Sequence, residues 1–102
     1  MPRVRSPKGL SKEAQTWFRK IVSDYELRND NAALLLLEVA LQSWDEMRIC
    51  RSTIAREGFV LAGRFGEKRA HPAVSAMRSS RSAMLRAMTA LGLSLAALDE
   101  ED

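Results

Sequence analysis

The sequence predicts a mainly α-helical, oligomer-forming fold: a long helical hairpin, a third helix, and a short β-hairpin or loop excursion between them. Three observations carry this. Apolar residues recur at helical spacing in three separate stretches. From Asn31 to Glu57 there is neither proline nor glycine, and Leu, Ala, Glu and Arg dominate, so one helix runs without a break. Between the second and third stretches, "FVLAGRFGEKRA" (Phe59 to Ala70) sets alternating or β-branched residues around Gly63 and Gly66, which fits two short strands or an ordered loop.

The elements follow in order. Residues 1–10, "MPRVRSPKGL", hold two prolines, a glycine and three cations, and read as a flexible basic arm. Ser11 is a good N-cap, with Glu13 placed where the helix dipole favours an anion. Ala14, Trp17, Phe18, Ile21, Val22 and Tyr25 then form an apolar stripe, predicting helix over 12–27. "RNDN" breaks the pattern, and Asn29 or Asp30 caps the next helix. That helix, 31–57, would be about 40 Å long at ~1.5 Å per residue. Leu34, Leu37, Leu41 and Trp44 form one seam along it, while Leu36, Val39, Ala40, Met47, Cys50 and Ile54 cover an adjoining face. A helix so apolar needs cover on more than one side. The first helix supplies one, and a second copy is a natural way to supply the other, so the four seam residues are candidate subunit or hairpin contacts. Gly58 stops the helix. His71-Pro72 opens the third, 72–91, since a proline at the first helical position loses no bond, and Gly92 is a C′ glycine. The expected organisation is an arm (1–10), one helical domain (11–98) and an acidic tail (99–102).

Bulk properties narrow the class. A chain of 102 residues supports one small core. Its 46% apolar and 28% charged residues exclude a disordered chain. Cys50 stands alone, which excludes an intrachain disulfide and a cysteine metal cluster, and its apolar surroundings predict a buried, inert thiol. The longest strongly apolar run, "AALLLL", is too short to span a bilayer, and no secretory signal is recognised, so a soluble intracellular protein is expected. The net charge of +3 is unevenly laid out: +4 over residues 1–28, −2 over 29–57, +5 over 58–98 and −4 over 99–102. A basic start and an acidic end point to one polyanionic and one basic partner, or to solubilising ends.

Catalytic chemistry is not readable in these residues. His71 has no second His or Cys at metal-ligand spacing, and before a helix-starting proline it reads as a capping or loop residue. Gly58, Gly63 and Gly66 build neither a phosphate-binding nor a dinucleotide loop. Asp45 and Glu46 are neighbours on a helix and diverge by ~100°, so they cannot form a carboxylate dyad. No catalytic residue, metal site or cofactor is therefore expected. What remains is charge. Arg3, Arg5, Lys8, Lys12, Arg19 and Lys20 form a basic arm and helix face suited to phosphate contacts, or to a solvated surface. Arg64, Lys68 and Arg69 are a second candidate DNA-binding patch. Arg78, Arg81 and Arg86 give the third helix cations and no acids, fitting contact with DNA, with acids of the second helix, or with a neighbouring subunit. Met77, Met84 and Met88 read as packing residues. "DEED" is a docking tail for a basic surface or an acidic end.

In their order, "LSKEAQTWFRKIV", a Leu-rich helix ending "EGFVL", a glycine-bearing excursion, "HPAVSAMRSS" and "LRAMTALGLS" resemble the P27 family of phage terminase small subunits. The likeness covers about residues 10–95, and His71-Pro72-Ala73 followed by Leu91-Gly92-Leu93 is its most distinctive part. It implies a phage- or prophage-encoded, non-catalytic protein of the host cytoplasm that assembles into a homo-oligomeric ring. Its implied partners are viral double-stranded DNA, recognised where packaging begins, and the large terminase subunit with its ATPase and nuclease; no membrane is implied. The competing expectations are a small dimeric DNA-binding transcriptional regulator and an assembly adaptor without nucleic-acid binding. A clean helix-turn-helix with a polar recognition helix is not found.

Overall fold

Five elements follow one another: α1 (Lys12–Asp24), α2 (Asn31–Glu57), β1 (Val60–Ala62), β2 (Lys68–Ala70) and α3 (Pro72–Leu91). They come from a computed structural model that describes residues 6–63 and 65–92. Arg3, Arg5, Arg64 and the acidic residues 99–102 lie outside the described residues.

Each helix boundary has a local cause. The Ser11 hydroxyl accepts from the Ala14 N–H at 3.1 Å and caps α1. α1 stops three residues before the expected end, because a Schellman turn closes it. The Leu27 N–H reaches the Val22 carbonyl at 3.0 Å and the Glu26 N–H reaches that of Ser23. This turn requires a left-handed residue, and Glu26 supplies it at φ 54°. Leu27 then packs back on the core, the apolar contact that accompanies such turns. Asp30, rather than Asn29, caps α2 by accepting from the Ala33 N–H at 3.0 Å. Gly58, at φ 85°, ends α2 in a conformation that a side chain would resist.

The excursion is a β-hairpin. β1 and β2 pair antiparallel with Val60 opposite Ala70, Leu61 opposite Arg69 and Ala62 opposite Lys68. The Glu67 carboxylate folds over the turn and accepts from the Phe65 N–H at 3.0 Å. A Cβ at Gly63 would overlap that carboxylate, so a larger residue there would push the Glu67 side chain off the turn. The Phe59 carbonyl accepts from the His71 N–H at 2.7 Å and ties the base of the hairpin to the start of α3.

α3 returns antiparallel along α2, and this is the most extensive packing between elements. α1 lies along the first half of α2. Leu10, Ala14, Phe18 and Val22 meet Leu37 and Leu41 there, with Ile21, Leu27, Leu34, Trp44 and Leu91 around them. Along α3, Ser80 and Ala87 are buried, and Met77, Met84 and Met88 are each half-buried. The sequence suggests a second copy as cover for the second side of α2. Within this one chain α3 already packs along α2 more extensively than α1 does, and Ala40, Ser43 and Ile54 are buried without a second copy. Cys50 is half-buried rather than enclosed.

Two adjacent carboxylates hold the three helices in place. Asp45 accepts from the Ser11 N–H at 2.9 Å and the Ser11 hydroxyl at 2.6 Å, pinning the start of α1. Glu46, one residue on and turned ~100° around the helix, accepts from the Ser80 hydroxyl of α3 at 3.1 Å. The divergence that rules out a dyad makes each residue a tether to a different helix.

Two outcomes test this packing. Leu37 is fully buried, so Leu37→Ala should cost about 3 kcal/mol in denaturant unfolding, through weaker packing and the cavity left behind. Glu26→Gly should raise stability by roughly 0.5–1 kcal/mol, measured the same way, because the left-handed position then carries no Cβ penalty.

Candidate nucleic-acid interface

The inward face of α1 is fixed by Ala14, Phe18 and Val22, all buried at i, i+4 and i+8. Helix geometry therefore turns Lys12, Thr16, Arg19, Lys20 and Ser23 outward, and all five are exposed. Lys12, Thr16 and Arg19 share one row at i, i+4 and i+7. Their partners differ. Arg19 donates to the Ser6 hydroxyl at 3.3 Å, which draws the preceding segment onto the same face. Lys20 pairs with Asp24 at 3.1 Å, an exposed i,i+4 pair that water already screens. Lys8 is exposed in the turn before α1. The result is a row of cations whose orientation is set by the core behind it, with the Thr16 hydroxyl among them donating to the Lys12 carbonyl at 3.0 Å.

Lys68 and Arg69 stand elsewhere. Both are exposed on β2, and strand alternation points them to opposite faces of the hairpin. Arg69 lies 3.6 Å from the Glu67 carboxylate. The hairpin leaves α2 at Glu57, whereas the start of α1 is pinned at Asp45. Twelve helical residues separate those points, about 18 Å along the axis. The two basic groups are thus separate patches within one chain.

The seam residues divide. Leu37 is fully buried and Leu41 nearly so, both inside this chain's own core, which is the hairpin contact of the two alternatives. Leu37 has no surface left to offer a second copy. Leu34 and Trp44 are partly buried against the same core. Trp44 carries the Arg48 guanidinium 4.5 Å above its ring, and Arg48 also pairs with Glu13 of α1 at 2.7 Å. Sequence reasoning missed this bridge, although Trp44 and Arg48 sit at i,i+4.

A different stripe of α2 is open. Leu35, Val39 and Ile49 are 65%, 46% and 67% exposed. With exposed Gln42 and Glu46 between them they follow alternating steps of four and three residues, the spacing of a helix–helix seam. The sequence groups Val39 with Ala40 and Ile54 on one apolar face; Ala40 and Ile54 are buried, but Val39 is not. Trp17 of α1 is also 47% exposed.

His71 is a structural residue here. Its Nδ1 accepts from the Ala73 N–H at 3.0 Å as the N-cap of α3. That places its proton on Nε2, which sits 3.2 Å from Glu57 Oε1. Arg78, Arg81 and Arg86 are all exposed, and none pairs with a carboxylate among the described residues. Among those residues no group of three or more His, Cys, Asp or Glu is placed to hold a metal ion. No helix there is long and apolar enough to cross a membrane.

Comparison with known proteins adds one finding. A family model described as phage terminase, small subunit, matches residues 14–99, which takes in the hairpin, α2, α3 and nearly all of α1. Searches of curated proteins and of solved structures return no match.

Proposed function

Because the chain belongs to the phage terminase small-subunit family, we propose that it recognises viral double-stranded DNA where packaging begins and engages the large terminase subunit. It does so without catalysis of its own, as a homo-oligomeric ring in the host cytoplasm. Within the family, the ordered His71-Pro72-Ala73 and Leu91-Gly92-Leu93 set supports membership of the P27 group.

The observation that carries the DNA reading is the outer face of α1. Lys12, Arg19 and Lys20, with Thr16 and Ser23 among them, face away from a core that fixes their direction. Such a row contacts phosphates and positions a duplex without reading bases. Arg3 and Arg5 add charge to the same end of the sequence, and Lys8 precedes the helix directly. Lys68 and Arg69, with Arg64 between the strands in sequence, form the second, separate patch. The subunit contact falls on Leu35, Val39 and Ile49, since their apolar side chains are open while Leu37 and Leu41 are committed internally.

Binding titrations of a viral DNA duplex at several salt concentrations test the DNA face. In the triple variant Lys12→Ala, Arg19→Ala, Lys20→Ala, affinity per subunit at low salt should fall at least several-fold. The slope of log affinity against log salt should flatten by about 2–3, near 0.9 for each phosphate that is no longer neutralised. Unchanged affinity and slope would place DNA on another surface.

A further inference from the structure

The hairpin is the least covered part of the described chain. Phe59 is 65% exposed, Val60 54% and Phe65 90%, and every residue of β2 is exposed. The two strands pair only with each other. An isolated two-stranded ribbon is marginal in water, and large apolar side chains held in solvent mark a contact surface. By alternation Phe59, Leu61 and, across the ladder, Arg69 share one face. A partner suited to this face carries an apolar block directly beside an acidic one.

The chain has such a segment. After α3 the sequence reads "LAALDEED", Leu95 to Asp102: four apolar residues, then four acids. It cannot seat both blocks on its own hairpin. Phe59 and Arg69 stand beside His71, where α3 begins. α3 carries the chain about 30 Å away, at ~1.5 Å for each of its residues, before Gly92. Residues 93–98 span at most about 20 Å when fully extended. The apolar block therefore falls short of its own hairpin by roughly 10 Å, and only another copy's hairpin is within its reach.

We propose that residues 95–102 of one copy dock on the hairpin of a neighbouring copy. Leu95 and Leu98 pack against Phe59 and Leu61, and the carboxylates of Asp99 to Asp102 face Arg69, which lies across the ladder from Leu61. This rests on the homo-oligomer reading above and adds to it a charge-directed link between successive subunits, separate from the α2 stripe.

The test uses the full chain with the photo-crosslinker p-benzoylphenylalanine in place of Phe59, mixed with ¹⁵N-labelled copies and irradiated. Mass spectrometry should find position 59 joined to the tryptic peptide 87–102 in mixed-isotope pairs. Arg69→Glu should lower that yield about fivefold, as loss of roughly 1 kcal/mol implies. Replacing Asp99, Glu100, Glu101 and Asp102 by Lys in the partner copy should restore it. Cross-links within one copy only, or to other segments, would overturn the proposal. Sedimentation of the same samples separates the two readings. An assembly that persists without this cross-link overturns the docking alone, and a monomer overturns the oligomer reading as well.

Discussion

α2 has more apolar surface than any one neighbour can cover, and the rest of the structure is arranged around that constraint. Its 27 residues run unbroken from the Asp30 cap to Gly58. α1 takes one side of the first half through Phe18, Val22 and Leu10. α3 takes a second side along most of the length. A third stripe, through Leu35, Val39 and Ile49, stays open. Burying a Leu, Val or Ile side chain is worth about 1.5–3 kcal/mol relative to exposure. For a chain with so small a core, that is a strong drive toward a further partner.

The same constraint orients the charges. With Ala14, Phe18 and Val22 turned inward, the cations of α1 have only the outer face. Asp45 and Glu46 add direction to a packing force that has none of its own. One accepts two hydrogen bonds from Ser11 at the start of α1, and the other accepts from Ser80 on α3. The basic row is thus presented by a rigid element, at the opposite side of α1 from the core. A surface that holds a duplex by its phosphates needs that fixed presentation more than it needs any particular base contact.

Much of this is legible in the residues. The helix starts at Ser11 and His71-Pro72 and the ends at Gly58 and Gly92 follow from capping chemistry that acts within a few residues. The end of α1 is harder to read, because the left-handed position is filled by Glu26, which carries no signal of the kind glycine gives. Hairpin and loop are nearly balanced in the sequence, since three-residue strands offer too short an alternation to decide. Which helix covers which face of α2 is not readable. Leu34, Leu37 and Leu41 look alike in sequence to Leu35, and only the placement of α1 and α3 separates core from surface. The direction of the cations of α1 follows from the apolar stripe. Their separation from Lys68 and Arg69 requires the fold.

The central claim is that the open stripe of α2 is where one copy meets another. The mass of the full chain in solution, measured by sedimentation for the native sequence and for the double variant Leu35→Asp, Ile49→Asp, tests it most directly. The native chain should sediment as a discrete multi-subunit assembly and the variant as a folded monomer, with helical content unchanged by circular dichroism. A native chain that sediments as a monomer, or a double variant that assembles as before, would contradict it.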